Sequence, residues 1–251
     1  MNIVARHLFL AIAVALSLAV APAGASAMTI DRPGPAPVAS VTPSDGAVVG
    51  IAHPVTVRFS TAVTDRARAE KSLSVVTAGD ALPGSYSWHG DRELTWTPTG
   101  YLPANTTFTV NFGDRRTQFD TNVGVIADAN MSTHTFTVSM GGVPVRTMPA
   151  SMGKPGYETP TGTYPVLEKF RNVIFDSRTI GIPLDSSEGY LIDGEWAERL
   201  TWGGVFVHSA PWSVDQQGNS NVSHGCINLA PGDASWYYEN VGIGDPVNIH
   251  W

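Results

Sequence analysis

The residues with chemical potential cluster in two short runs, Val205-Phe-Val-His-Ser-Ala-Pro211 and Ser223-His-Gly-Cys-Ile-Asn228. Cys226 is the single cysteine of the chain. A cysteine nucleophile needs a base, donors for an oxyanion, and access to substrate. His208 ends an apolar strand, a rigid place from which to present an imidazole. Gly225 lets the backbone bend tightly and expose the Cys226 sulfur. Such a bend can aim the N–H groups of His224, Gly225 and Cys226 at one point, as in an anion-binding nest. Asn228, two residues on, can hold the loop or a substrate carbonyl. Two other readings of the same residues stand beside this one. His208, His224 and Cys226 also make a zinc-ligand set, and a lone cysteine also packs as an inert small hydrophobe.

Several elements must position these residues. The pattern from about Ser40 to Gly113 is all-β. Val55, Val57 and Phe59 alternate with polar residues, and short strands are expected near Leu73–Val76, Tyr86–Trp88, Leu94–Trp96 and Phe108–Phe112. Asp45-Gly46, Pro83-Gly84, His89-Gly90 and Thr99-Gly100 punctuate them as turns. Thr64 is expected to cap one short helix running through Lys71. Strands at this spacing suggest an immunoglobulin-like sandwich. Trp88 and Trp96 read as its packing, and His53 and His89 as surface or structural residues. The second unit begins near Asn122, with a strand at His134–Val138, a turn at Gly141-Gly142 and a return strand at Val143–Met148. A Gly-, Pro- and Thr-rich stretch follows from Ser151 to Pro165. Strand-like runs recur at Asn172–Phe175 and Gly204–His208, and Gly232–Asn240 reads as a helix. The fold class is therefore mainly β.

Composition narrows the function. The 251 residues include 22 acids and 15 bases, for a net charge of -7. All of the excess acid lies in residues 122–251, which hold 13 acids and 6 bases. No basic face for nucleic acid is indicated. One cysteine excludes an intramolecular disulfide, a cysteine-rich zinc site and an iron–sulfur cluster. Residues 1–27 read as a secretory signal: Arg6, an uncharged run from Leu8 to Val20, and the small-residue pattern Ala25-Ser26-Ala27. That run is short of the roughly 20 residues that span a bilayer, so no stable membrane insertion is expected after cleavage. Residues 28–40, with Pro33, Pro35 and Pro37, read as a linker. The sandwich is expected over 41–120 and the second domain over 122–250.

His208, a gap of 14 residues, and then Ser223-His224-Gly225-Cys226-Ile227-Asn228 resembles the signature of the L,D-transpeptidase family with its YkuD-type catalytic domain. Thr159-Pro160-Thr161-Gly162-Thr163-Tyr164, Asp176-Ser-Arg-Thr-Ile-Gly181 and His208-Ser-Ala-Pro-Trp-Ser213 are similar to family stretches, and the immunoglobulin-like unit resembles that of mycobacterial and other actinobacterial members. The resemblance implies an N-terminal immunoglobulin-like β-sandwich followed by a β-rich catalytic domain. It implies that Cys226, deprotonated by His208, attacks a donor tetrapeptide stem of peptidoglycan, releasing D-alanine. The thioester is then resolved by a meso-diaminopimelate amine of a neighbouring stem to give a 3→3 cross-link. The backbone carbonyl of Ser209 would orient His208, and backbone groups at His224, Gly225 and Cys226 would form the oxyanion hole. Tyr190, Gly203, Gly204 and Asn228 match substrate-contact positions. Gly203 stands where related chains often have Ser, so only its backbone is available. Residues 165–200 would form a lid, with Trp196 and Trp202 lining the site or packing. No cofactor and no metal is implied. Carbapenem β-lactams are implied as covalent inhibitors, and an exported location in the periplasm or cell wall, at the outer face of the inner membrane.

Two other functions share these residues. An L,D-carboxypeptidase or other hydrolase would resolve the same acyl-enzyme with water, since acceptor choice depends on lid shape and water exclusion. A non-catalytic wall-binding protein would use the immunoglobulin-like unit alone.

Overall fold

The computed structural model describes residues 36–251. The signal expected over 1–27 and most of the expected linker lie outside the described residues. The first domain is a sandwich of two sheets. One orders β1 (Val38–Thr42), β3 (Val55–Phe59), β7 (Glu93–Pro98) and β6 (Gly84–His89) as β1-β3-β7-β6. The other orders β2 (Ala47–Val49), β9 (Arg115–Thr121), β8 (Thr107–Phe112), β4 (Leu73–Thr77) and β5 (Asp80–Ala81) as β2-β9-β8-β4-β5. Val38–Ser40 thus belong to a strand rather than to a linker. The alternation of β3 puts Val55, Val57 and Phe59 in the core with Leu94, Trp96, Phe108 and Phe119. Trp96 is fully enclosed, and Gly84 is what lets it fit, since a Cβ there would lie 2.1 Å from Trp96 Nε1. Trp88 is half-buried and donates its indole N–H to Glu70 at 2.7 Å. Both tryptophans pack.

Helix α1 (Arg66–Ser72) is capped by Asp65, whose carboxylate accepts from the Arg68 N–H at 3.0 Å, and not by Thr64. Both residues are good caps. Adjacent in sequence, they gave the pattern no means of choosing.

The second domain is built on one nine-stranded sheet. Its strands are β10 (Val125–Asn130), β11 (Thr135–Met140), β12 (Val143–Ser151), β13 (Gly162–Pro165), β14 (Glu168–Asp176), β15 (Leu191–Arg199), β16 (Phe206–Ser209), β17 (Ile227–Leu229) and β18 (Pro246–His250). They are ordered β13-β18-β10-β11-β12-β17-β16-β15-β14. Helix α2 (Pro231–Asn240) has Pro at its first turn, where the missing N–H costs nothing. It buries Ala234 and Tyr237 in a core with Phe136, Val207, Ile227 and Leu229.

Several boundaries differ from the sequence expectation. His134 is not in a strand: it sits at φ 55° in the turn before β11, and its ring meets Asn221 at 3.0 Å. Gly204 likewise lies outside β16, at φ 97°. The run Asn172–Phe175 is the middle of a nine-residue strand, β14, which pairs along its length with β15. The segment expected as a lid is therefore mostly a long antiparallel hairpin, with the loop 177–190 at its tip.

The two domains touch closely. Gly50 and Ala52 donate their N–H groups to the carbonyls of Ile243 and Gly244, each at 2.8 Å, and Asn122, at the join, donates its N–H to the Val49 carbonyl at 2.9 Å and its Nδ2 to Asp245 Oδ2 at 2.7 Å. A Cβ on Gly50 would lie 1.9 Å from the Asp245 nitrogen, so only glycine permits this approach. His53 is buried against Gly244 at this junction, which makes it a structural residue.

Candidate active site

The site is assembled on one rung of parallel strands. β16 and β17 pair with His208 opposite Asn228 and Val207 opposite Ile227, so Cys226 lies just ahead of the strand that neighbours His208. Val207 and Ile227 face the core. By strand alternation the side chains of His208 and Asn228 face the other way, into a cavity of about 410 Å³. Phe175 and Ile192 of the β14–β15 hairpin and Tyr190 of its tip form one wall. Trp212, Ser213, Gln216 and Val222 form the other, with Ser223, His224 and Cys226 alongside.

The loop carrying Cys226 is tied down by its own first residue. Ser223 Oγ donates to the Cys226 carbonyl at 2.6 Å and accepts from the Gly225 N–H at 3.1 Å. Gly225 stands at φ 117°, which only glycine adopts without strain. The Gly225 N–H is thereby consumed inside the loop, so it is not the free donor expected of it. The His224 and Cys226 N–H groups make no loop hydrogen bond among the described residues. The loop is also tied to its neighbour: Gly153 bridges Ser223, and the buried Thr159 hydroxyl accepts from the Gly153 N–H at 2.9 Å. This gives the Thr159-Pro160 stretch a positioning role.

The ring of His208 is buried beside Phe175, with centroids 4.5 Å apart, and near Trp212. Its Nδ1 donates to the Ser209 carbonyl at 2.8 Å, which leaves Nε2 with the lone pair. Burial pushes His208 down to about 4, against the Ser209 carbonyl and the Asn228 amide, which favour the charged ring. Burial pushes the Cys226 thiol up to about 11, opposed by the Phe206 backbone. Thiol and imidazole are thus both neutral near pH 7. Burial, aided by the charges of Cys226 and Asp176, raises Tyr190 to about 12, so its hydroxyl remains a donor. Asn228 Nδ2 donates to Ser213 Oγ at 3.0 Å, which leaves its Oδ1 as the group that meets the His208 ring when that ring carries a second proton.

Residues 124–249 match the L,D-transpeptidase catalytic domain (YkuD), and residues 18–113 match a bacterial Ig domain. The chain is 50% identical over 212 residues to L,D-transpeptidase 1 of Mycobacterium tuberculosis, covering 84% of each. The chain belongs to the L,D-transpeptidase family. It is 43% identical to the probable L,D-transpeptidase 3 of the same organism, over 84% of this chain and 86% of that one. Among solved structures, an L,D-transpeptidase from Mycobacterium smegmatis superposes with a TM-score of 0.83 at 51% identity, covering 87% of this chain and 100% of that one. An LD transpeptidase solved with imipenem superposes at 0.82 and 50% identity, with the same coverage. L,D-transpeptidase 3 of M. tuberculosis with a faropenem-derived adduct superposes at 0.80 and 43%, covering 86% and 98%.

Within this transpeptidase chain, Cys226, His208, His224, Tyr190 and Asn228 all line one cavity, while Gly203 and Gly204 do not. Gly204 instead lies across the sulfur, its carbonyl accepting from Cys226 Sγ at 3.5 Å. Trp202 projects into solvent and Trp196 packs on Tyr238, so neither forms the cavity wall. Among the described residues no three His, Cys, Asp or Glu side chains converge as metal ligands, and the His224 ring is engaged by Glu188. Sequence reasoning did not single out Phe175, Ile192, Gln216 or Val222 as cavity walls. Trp212 and Ser213 stood in a quoted family stretch, but a stretch alone does not say which side chains turn inward.

Proposed function

We propose that this L,D-transpeptidase forms 3→3 peptidoglycan cross-links through a Cys226 thioester. The observation that carries the reading is the buried His208 imidazole, fixed through Nδ1 on the Ser209 carbonyl and sharing one cavity with Cys226. At rest the proton stays on sulfur, because both groups are neutral near pH 7. As sulfur attacks the diaminopimelate carbonyl of a donor tetrapeptide, the thiol proton passes to His208 Nε2. The oxyanion is met by the free N–H groups of His224 and Cys226, two donors rather than three. Collapse breaks the amide bond, and His208 returns the proton to the departing D-alanine amine. The side-chain amine of a second stem's diaminopimelate then attacks the thioester. Its proton returns through His208 to the sulfur, and the new amide is the cross-link.

Tyr190, with its hydroxyl held protonated, and the Asn228 amide supply donors to the bound stem. Phe175, Ile192, Trp212 and Val222 put apolar surface along the cavity, and a stem peptide bound against them would displace water from the thioester, which supports transfer to an amine over hydrolysis. The same chemistry on a β-lactam carbonyl would leave an acyl-enzyme on Cys226. A relative was solved with imipenem and another with a faropenem-derived adduct, which supports carbapenems as inhibitors of this chain. The wall substrate and the leader-like residues 1–27 support export to the periplasm or cell wall. Among the described residues no helix is long and apolar enough to cross a membrane.

The test is to incubate the enzyme with purified tetrapeptide stems and weigh the enzyme and its products. A thioester adduct on the intact chain with cross-linked dimers is expected. Trimmed monomers without dimers would make the enzyme a carboxypeptidase, and no adduct at all would sink the acyl-enzyme.

A further inference from the structure

The tip of the hairpin, residues 177–190, is braced against itself. Ser177 is fully buried, and its hydroxyl donates to the Ile182 carbonyl at 2.9 Å and accepts from the Tyr190 N–H at 3.0 Å. The Ser177 N–H donates to the Tyr190 carbonyl, and Ser186 and Gly189 close further turns within the same segment. Gly189 is packed so closely that a Cβ would lie 2.4 Å from the Pro183 carbonyl oxygen. Arg178 and Thr179 bond back to Asp176 at the end of β14, the strand the tip grows from. Among the described residues, every hydrogen bond or ion pair from this tip to a part of the molecule outside its own hairpin is made by Glu188. Its Oε2 accepts from Lys154 Nζ at 2.5 Å and from His224 Nε2 at 2.6 Å. Both partners belong to the support of the nucleophile. His224 is two residues from Cys226, and the Lys154 N–H donates to the Ser223 carbonyl at 3.0 Å. The His224 ring also lies between the rings of Tyr157 and Tyr190, at 4.8 and 5.3 Å.

We propose that Glu188 is a positioning residue for acyl transfer. Its carboxylate pins the hairpin wall of the cavity to the nucleophile loop and fixes His224. It rests on the acyl-transfer reading above, which uses the His224 N–H as an oxyanion donor. The pair with Lys154 is partly solvated, and such pairs add little to stability. The consequence of losing Glu188 is therefore misplacement rather than unfolding. Tyr190, two residues away, moves with the tip, so the cavity wall and the oxyanion donor are displaced together.

The experiment compares the mature chain with Glu188→Ala and Glu188→Gln, using imipenem as the acylating probe and amide hydrogen exchange as an independent readout. In Glu188→Ala, exchange quickens both in 182–192 and in 222–226, although the melting temperature barely moves. Its saturating acylation rate falls by about 10- to 100-fold, the usual consequence of sub-ångström misplacement, with half-saturation changing less. Glu188→Gln keeps an acceptor for His224 Nε2–H and recovers most of that rate. Faster exchange confined to 182–192, with acylation within about twofold of wild type, overturns the proposal. If imipenem fails to acylate the wild-type chain, the acyl-transfer reading falls. The paired exchange of the two segments then still decides whether Glu188 couples them.

Discussion

Cys226 sits in a cavity wall with a neutral thiol, and this sets what its removal does. Cys226→Ala deletes one half-buried sulfur whose only hydrogen bond among the described residues is the long one to the Gly204 carbonyl, so the melting temperature should fall by no more than a few degrees, since about 1 kcal/mol shifts a chain of this size by roughly 2–4 °C. Intact mass should show one carbapenem per wild-type chain and none on Cys226→Ala. An adduct persisting on the variant would move the nucleophile elsewhere. The protonation states give a second expectation. His208 is pushed down to about 4 by burial, so it stays an available base until strongly acid pH. The acylation rate should be nearly flat from pH 6 upward through neutrality and fall only on an acid limb well below the ordinary histidine value of 6.5. A rate that climbs steeply from neutral to alkaline pH would instead mean attack by a preformed thiolate. His208→Ala should slow acylation by about 10²- to 10⁴-fold, the reach of general base catalysis.

At the scale of elements, the parallel β16–β17 rung delivers His208 and Asn228, and the Ser223 hydroxyl delivers the loop between that rung and the rest of the site. This hydroxyl is both donor and acceptor within four residues, closing the turn on the Cys226 carbonyl and the Gly225 N–H. Ser223→Ala leaves the buried Gly225 N–H without its partner, a loss of about 1–3 kcal/mol. Both the stability and the carbapenem acylation rate of Ser223→Ala should drop. Ser223→Thr, which keeps the hydroxyl, should recover acylation, as followed by intact mass over time. Equal loss in both variants would show that side-chain volume, not the hydroxyl, matters at 223. Much of this was legible in advance. The spacing of His208 and Cys226, the tight glycine and the paired Ser and Asn are local patterns. Their chemistry follows from residue type. The redirection of the Gly225 N–H was not legible, because it depends on which way one peptide plane turns.

Across the whole molecule, two buried groups, one at the domain junction and one in the cavity, respond to acid in opposite senses. Asp245, at the junction with the first domain, is raised to about 6 by burial, against the hydrogen bonds from Gly242 and Asn122. Its folded value exceeds the ordinary 3.8, so it favours the folded state at low pH, and that contribution is lost as pH rises through about 6. His208 is lowered to about 4 from 6.5, so its contribution is present above 6.5 and is lost as pH falls toward 4. Each amounts to about 3 kcal/mol across its window, so the two largely cancel between pH 4 and 6. Asp245→Asn should unmask the histidine. Relative to wild type, its unfolding free energy should climb by about 3 kcal/mol from pH 4 to pH 6.5, measured by urea denaturation. The buried Glu198 is common to both proteins and drops out of the difference. Identical pH slopes in the two proteins would mean that Asp245 is ionised throughout.

Residue type and short-range spacing determined the mainly β class, the family, and the proposed nucleophile and base, because alternation and a six-residue motif are properties of neighbours along the chain. Tertiary structure decided the rest. Strands such as β9 (Arg-Arg-Thr-Gln-Phe-Asp-Thr) and β15 carry too many polar residues to read as strands alone, and they exist because a neighbouring strand satisfies their backbone. The hairpin wall of Phe175, Tyr190 and Ile192 comes from residues that precede the motif by 30 residues or more, and no periodicity links them to it. Glu188 shows the difference most plainly. In sequence it is one acid in a polar loop. Only the fold of the hairpin sets its carboxylate 2.6 Å from His224 and beside Lys154, where a charge with no local signature becomes the polar tie between the cavity wall and the nucleophile loop.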